Sequence, residues 1–231
     1  EEIWSLDKAS NASVGFMAGL SVAIGDFDGD GYMDIAAMTG EGYLVVVDRN
    51  GAVKYTSDLP YGTVNTSTGW GGALAVADMD LDGWPEIAYA DTVWTMKGGV
   101  LKRLFVGAKG TGGATDESLS LFSDVDMAND GHLELVAGNT AYGWTGTAVS
   151  TIWQNTNVSN GFDAVADLNK DGNPEVIVVA GGKVWMLNGA TGAIIGTAFT
   201  LPGTGGGGAP TVADFDGDGH PEIGIAQANY Y

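Results

Sequence analysis

A short acidic motif recurs five times along the 231-residue chain. Each copy alternates acidic or amide side chains with other residues, and it then has a glycine followed three positions later by a carboxylate. The copies occupy residues 26–34, 78–86, 124–134, 167–175 and 214–222, so successive copies begin 43 to 52 residues apart. A regular period of this length is typical of proteins built from one repeated supersecondary unit. The repeat therefore constrains the fold more than any single segment does.

The motif supplies oxygen ligands for one metal ion per copy. Positions 1, 3 and 5 offer side-chain oxygens, position 7 a backbone carbonyl and position 9 a closing carboxylate, while glycine at position 6 allows the chain to reverse. The ligands are all hard oxygen atoms, which excludes a zinc site made of thiolates or imidazoles. Their number and irregular geometry favour Ca²⁺ over Mg²⁺. The predicted ligands are Asp26, Asp28, Asp30, Tyr32 and Asp34; Asp78, Asp80, Asp82, Trp84 and Glu86; Asp124, Asp126, Asp130 and Glu134; Asp167, Asn169, Asp171, Asn173 and Glu175; and Asp214, Asp216, Asp218, His220 and Glu222.

The motif is not an EF-hand, because no copy has the glutamate that an EF-hand needs at position 12. The residues after position 9 are β-branched in the fourth copy, Val176 to Val179, which predicts a strand. The third copy is irregular. Either Asp126 is position 1 and Ala128 replaces a ligand, or Asp124 is position 1 and two extra residues precede Asp130. We expect up to five calcium ions, with the third site distorted, weak or empty.

The segments between the acidic loops predict an all-β fold. In the fourth repeat, residues 164–167, 175–180, 183–187 and 193–200 read as four strands separated by turns. Four antiparallel strands repeated radially form a β-propeller, whereas a sandwich lacks a regular period. We therefore predict a single propeller domain over residues 1–231, either as a five-bladed ring or as part of a seven-bladed one. Trp4 near the start resembles Trp153 in a fourth strand.

These loops, set among Ala- and Gly-rich strands, resemble the FG-GAP or VCBS repeats of integrin alpha subunits and bacterial surface proteins. The resemblance implies an extracellular or cell-surface protein that binds partners on the face away from calcium. Long fourth-to-first connections on that face are the expected recognition loops. We predict Tyr61 and Trp70 as ligand-binding aromatics there. Phe16 and Phe162 occupy equivalent segments and are expected to pack between blades.

Composition limits the possible partners. The net charge is −20, with nine Lys and Arg against 29 Asp and Glu, which argues against nucleic-acid binding. No segment is long and apolar enough to predict membrane insertion. The chain has no cysteine, so calcium would replace disulfides as the stabilising cross-link, at the millimolar calcium found outside cells.

Catalysis is not expected. The two histidines, His132 and His220, both fall at loop position 7 or its equivalent, and no cysteine is present, so a nucleophilic triad is excluded. Acids outside the loops, such as Asp58 and Asp91, are expected to be solvated loop charges. The favoured function is an adhesion or recognition module for protein or glycan. The alternatives are a self-associating filament subunit and the propeller domain of a polysaccharide-processing enzyme.

Overall fold

The structure is a computed structural model that describes residues 4–5, 21–61, 72–114, 117–127 and 131–227. Within these ranges the chain forms β-strands and no helix, which confirms the all-β prediction. It follows that no helix in the described part of the chain is long and apolar enough to cross a membrane.

Four antiparallel sheets have four strands each, in chain order, and are the predicted propeller blades. Blade 1 contains β1 (Ala23–Gly25), β2 (Asp34–Met38), β3 (Leu44–Val47) and β4 (Val53–Thr56). Blade 2 contains β5 (Ala75–Ala77), β6 (Glu86–Tyr89), β7 (Thr92–Thr95) and β8 (Lys102–Val106), followed by a short hairpin of β9 (Gly113–Ala114) and β10 (Glu117–Ser118). Blade 3 contains β11 (Leu121–Ser123), β12 (Glu134–Ala137), β13 (Thr140–Trp144) and β14 (Val149–Gln154). Blade 4 contains β15 (Phe162–Ala166), β16 (Glu175–Ala180), β17 (Lys183–Asn188) and β18 (Phe199–Thr200). Blade 5 shows β19 (Pro210–Ala213) and β20 (Glu222–Ile225).

Neighbouring blades contact one another through their first strands. β5 lies against β11, β11 against β15 and β15 against β19, and Ser21 forms a parallel bridge with Ala73. This is the arrangement of innermost strands around a propeller axis. Because strands alternate in direction, the first-to-second and third-to-fourth turns share one end of the blades, which we call the acidic-loop face. The number of blades stays a prediction.

The second strands are buried on both sides because they lie between neighbouring blades. All four residues of β6 and all four of β12 are buried, although alternate side chains point in opposite directions. Apolar runs such as Ile87-Ala88-Tyr89 therefore replace the polar–apolar alternation of a one-sided sheet. The third and fourth strands share a further regularity. A register shift occurs at the same place in blades 1, 2 and 3, at Val46/Val47, Val93/Trp94 and Ala141/Tyr142.

Three hydrophobic core clusters each span two blades and include the residue at position 2 of an acidic loop. Phe27 packs with Ile87 and Trp94 of blade 2. Met79 packs with Leu135 and Tyr142 of blade 3, and Val125 packs with Val176 and Leu187 of blade 4. Phe27, Met79 and Val125 are at most 1% exposed, whereas Phe215 of blade 5 is 58% exposed. The first three acidic loops are thus anchored in the cores between blades through position 2.

Trp153 illustrates how a fourth strand meets the next blade. Its Nε1 donates a hydrogen bond to the carbonyl oxygen of Gly189, at 2.6 Å, and its ring lies so close to Gly192 that a Cβ there would come within 2.5 Å of it. Trp4 makes the same contacts with the corresponding turn of blade 1, donating to the Arg49 carbonyl at 2.9 Å and lying against Gly51. Trp4 therefore occupies the same position relative to blade 1 that Trp153 occupies relative to blade 4, as its resemblance to Trp153 suggested.

The contact between Trp153 and blade 4 generates a stability prediction. Trp153→Ala is expected to lower the free energy of unfolding by about 3–5 kcal/mol, because it empties a site between two blades and leaves the Gly189 carbonyl without its donor. Phe199, in the fourth strand of blade 4, is 63% exposed, so Phe199→Ala is the matched control, expected to change stability by less than about 0.5 kcal/mol. Urea unfolding followed by circular dichroism measures both; equal losses would contradict this packing.

Candidate metal centres in the acidic loops

Each acidic loop connects the first and second strands of its blade, and its backbone conformation is shared. The glycine at position 6 has a φ between 83° and 88° in all five copies, as the motif predicts: Gly31, Gly83, Gly131, Gly172 and Gly219. Position 4 is also left-handed, although three of its residues are not glycine: Leu81, Met127 and Lys170 have φ of 54°, 54° and 61°. Such values are uncommon for side-chain-bearing residues, so the loop imposes this conformation.

In the first, second, fourth and fifth loops, the carboxylate at position 1 accepts backbone hydrogen bonds, and the chain curls around it. Asp78 accepts the N–H groups of Asp82 and Gly83, each at 3.0 Å. Asp26 and Asp167 accept the equivalent pair, and Asp214 accepts the N–H groups of Gly217 and Gly219. Carboxylates that accept several N–H groups are fixed in place before any cation arrives.

The closing glutamate ties the end of the loop to its beginning. Glu86 Oε2 accepts the N–H of Met79 at 2.9 Å, so position 9 is bonded to position 2. The same bond, at 2.8 to 2.9 Å, recurs in the third, fourth and fifth loops: Val125 to Glu134, Leu168 to Glu175 and Phe215 to Glu222. In the second and third loops position 2 also lies in the core between blades, so there the carboxylate cluster and that core are directly connected.

The structure brings together three or four carboxylates from each of four predicted ligand sets, and the predicted ligands Asp30 and Asp82 are not among them. Within each set, one carboxylate oxygen per residue lies within 4.8 Å of the others, in the groups Asp26, Asp28 and Asp34; Asp78, Asp80 and Glu86; Asp124, Asp126 and Glu134; and Asp214, Asp216, Asp218 and Glu222. Asp34 Oδ2 and Asp80 Oδ1 are buried and have no hydrogen-bond partner. A buried carboxylate oxygen without a partner is costly. These clusters of hard oxygen atoms fit a divalent cation.

The third loop adopts the second of its two possible registers. Asp124 is position 1, since Val125 bonds to Glu134 and Met127 donates to Asp124 Oδ1 at 2.9 Å. Residues 128–130, including the predicted ligand Asp130, lie outside the described residues.

The fourth loop, which is described in full, does not gather three carboxylates. Asn169 replaces the acid at position 3, and its Nδ2 donates to Glu175 Oε1 at 2.9 Å. To hold a cation, Asn169 would have to present its Oδ1 instead. At position 7 the backbone N–H groups of Tyr32, Trp84, Asn173 and His220 donate to the position-5 carboxylate. Their carbonyl groups as ligands stay a prediction.

The first loop holds a cation of its own. Lys54, on β4, brings its Nζ into contact with Asp28, to 2.9 Å from Asp30 Oδ2 and to 3.4 Å from Asp34 Oδ1. The side-chain hydrogen bonds to Asp28 and Asp30 raise the pKa of Lys54 above its ordinary value. Asp34 is one methylene shorter than the glutamates of the other loops, which is consistent with a different closing contact here. Sequence reasoning missed Lys54, because it lies twenty residues after the loop.

The carboxyl groups that close the first three loops have raised pKa values. Burial, with the neighbouring loop carboxylates adding to it, raises the pKa of Glu86 to about 7 and that of Glu134 to about 7. Burial also raises the pKa of Asp34, and Lys54 offsets this only in part. A divalent cation in these loops would neutralise the repulsion that opposes ionisation.

Two acids outside the loops are buried. The prediction that Asp91 is a solvated loop charge is wrong: Asp91 is 8% exposed, and burial raises its pKa to about 6. Asp163 is 1% exposed, and burial raises its pKa well above the ordinary value although Oδ1 accepts the Gly138 N–H at 2.8 Å. Local sequence cannot reveal this, since the neighbouring blade does the burying. Asp58 is exposed as expected.

Of the two predicted ligand-binding aromatics, Tyr61 lies in the described part of the chain. Tyr61 is partly buried and packs edge-on against Tyr89, with ring centroids 5.0 Å apart. Burial raises its pKa. Trp70 lies outside the described residues, as does Phe16. Phe162, in β15, is partly buried. The role of Tyr61 and Trp70 in ligand binding stays a prediction.

Repeated four-stranded blades with convergent acidic loops define a β-propeller with candidate metal centres. A family profile described as FG-GAP-like repeat matches residues 26–89 and 167–225, which together make up more than half of the chain. The chain belongs to the FG-GAP-like repeat family.

Solved structures extend this comparison. The V. cholerae biofilm matrix protein Bap1 is 26% identical, with a TM-score of 0.61; the match covers 84% of this chain and 30% of Bap1. An Agrocybe aegerita lectin that recognises non-reducing terminal N-acetylglucosamine is 18% identical, with a TM-score of 0.48, over 95% of this chain and 63% of the lectin. The chain thus spans less than two thirds of the length of either protein. The comparison with curated proteins finds no match.

The burial of Asp91 generates a pH prediction. A folded pKa raised to about 6 means that the protonated form is favoured in the fold, so this group's contribution to stability is lost as pH rises from about 4 to about 6. Asp91→Asn cannot ionise. Its free energy of unfolding should exceed that of the wild type by about 2 kcal/mol above pH 6 and approach it near pH 4. Denaturant unfolding at each pH, with the exposed Glu41→Gln as control, measures this. A pH-independent difference would contradict it.

Proposed function

We propose that this protein is an extracellular, calcium-stabilised, non-enzymatic β-propeller that serves as an adhesion or recognition module for a protein or glycan. The observation that carries the proposal is the repeated loop itself, in which convergent carboxylates are bonded to a residue in the core between blades. Membership of the FG-GAP-like repeat family and the similarity to Bap1, a biofilm matrix protein, support an extracellular setting.

Calcium suits the donor set. The clustered groups are carboxylates, and no imidazole or thiolate belongs to any of these groups. The buried, unpartnered Asp34 Oδ2 and Asp80 Oδ1 are atoms that a bound cation would satisfy. When bound, calcium would neutralise the loop carboxylates. The chain's own contribution is to hold those carboxylates through N–H groups and to pass the restraint to the blades through position 2.

Lys54 is expected to weaken calcium binding in the first loop, because its ammonium contacts Asp28 and Asp34, which belong to the carboxylate group of that loop. Lys54→Met should raise the calcium affinity of that loop by about tenfold, since one competing charge is removed. Lys183→Met, in blade 4, removes an exposed lysine outside the acidic loops and is the matched control. Calorimetric titration of calcium-free protein measures both. Absence of any calcium binding in all three proteins would overturn the calcium proposal, and identical isotherms would overturn the role of Lys54.

The partner surface is proposed on the face opposite the acidic loops, where long connections link the blades. No nucleic acid is expected as a partner, in view of the net charge of −20. Recognition is tested by screening the calcium-loaded protein on a glycan array and by measuring its oligomeric state by light scattering. Saturable capture of a defined glycan supports the module. Reproducible filaments would favour the structural-subunit alternative, and depolymerisation of a captured polysaccharide would contradict the non-enzymatic assignment.

A further inference from the structure

A groove of about 450 Å³ lies between blades 2 and 3. It opens on the acidic-loop face, where the β7–β8 and β13–β14 turns meet, and its walls include Lys97, Lys102, Arg103 and Trp144. We propose that this groove binds an acidic oligosaccharide, with Trp144 against a sugar ring and the basic side chains on its carboxylate or sulfate groups. The proposal rests on the recognition function above and assigns to it a ligand class and a second surface.

The charge of the groove carries the argument. Lys97, Lys102 and Arg103 line it, and no acidic residue in the described part of the chain does, although Asp82 contacts Lys97. The residues that line the groove are thus basic, whereas the chain has a net charge of −20. Basic groups grouped at a concave site bind carboxylate and sulfate through charge-assisted hydrogen bonds. A volume of this size is within the range of small-molecule sites.

The three basic groups are held to different degrees. Arg103 is fixed, because its Nη1 donates to the Pro60 carbonyl at 2.7 Å and its backbone N–H donates to Asp58 Oδ1 at 2.7 Å. Lys97 contacts Asp82 Oδ2 at 2.6 Å, yet its side chain is 63% exposed. Lys102 is exposed at the start of β8. The Arg103 guanidinium is therefore held by the segment that follows blade 1, and the two ammonium groups, one of them shared with the second acidic loop, are the cations that can turn toward a ligand.

Trp144 provides a rigid aromatic surface. Its ring stacks against Phe105 of blade 2, with centroids 5.7 Å apart and an angle of 19° between the rings. Phe105 is 6% exposed, so the pair is anchored in the core between blades 2 and 3. The part of Trp144 that lines the groove offers an apolar surface on which the C–H groups of a pyranose ring can pack. Thr95 and Thr147 add hydroxyl groups to the same walls.

These features favour a saccharide over other anions. A net charge of −20 repels densely charged polymers such as nucleic acid. An acidic oligosaccharide has about one charge per one or two sugar rings, and each ring supplies an apolar face for Trp144. An acidic peptide supplies carboxylates on flexible chains without such a face, so it is the competing ligand that an experiment must distinguish.

Calorimetry on the calcium-loaded protein tests the proposal. The probes are a hyaluronan tetrasaccharide, with carboxylates alone, and a chondroitin 4-sulfate tetrasaccharide, with carboxylates and sulfates; cellotetraose is the neutral control. At least one acidic probe is expected to bind about tenfold more tightly than cellotetraose. Lys102→Ala and Lys97→Ala should each weaken that binding by about fivefold to tenfold. Trp144→Phe, which keeps an aromatic ring against Phe105, should weaken it by about threefold.

Lys183→Ala is the matched control, because Lys183 lies 5.6 Å from the ring of Trp185 in blade 4, outside the groove. It should bind the acidic probe as the wild type does. No binding of either acidic probe, binding equal to that of cellotetraose, or equal binding of a hexaglutamate peptide would overturn the proposal. So would unchanged affinity in Lys102→Ala. If Lys102→Ala still binds a partner identified on the array as tightly as the wild type, the groove is refuted while the recognition function stands.

Discussion

In the second and third acidic loops, the bond between position 9 and position 2 connects the surface chemistry of this protein to its core. Glu86 holds the N–H of Met79, and the Met79 side chain lies between blades 2 and 3, fully buried. The adjacent loop joins this network, because the Leu133 N–H donates to the Met79 carbonyl at 2.8 Å. A cluster of carboxylates that repel one another is thus placed where its collapse or expansion would be felt by two blades. The absence of cysteine makes this connection more important, since no disulfide can restrain the blades.

The five loops are variations on this arrangement. The second loop gathers Asp78, Asp80 and the buried Glu86. The first has Lys54 inside it, the third has an insertion, and the fourth has an asparagine turned so that its amide nitrogen faces the closing glutamate. The fifth gathers four carboxylates, yet its position-2 residue, Phe215, is largely exposed. The loops therefore differ in the cation that they can hold and in how strongly that cation would stabilise the blades.

Much of this architecture could be predicted from the sequence because it depends on local, repeated signals. Alternating oxygens, glycine at position 6 and β-branched segments specify the loops and strands residue by residue. What could not be predicted depends on residues far away in the chain. The burial of Asp91 and Asp163 and the position of the Lys54 ammonium in the first loop are examples. The residue at position 2 is apolar in every copy: Phe, Met, Val, Leu and Phe. This is the sequence signal for contact between the loops and the cores between blades.

The central claim is that calcium in the acidic loops stabilises the cores between blades through position 2. Hydrogen–deuterium exchange of the backbone amides, with calcium and with excess chelator, tests it most directly. The account predicts that chelation speeds exchange at the Met79 and Val125 amides by more than about tenfold and that the loss of protection extends into β6 and β12. Faster exchange confined to the exposed loop residues, or no change at all, would contradict it.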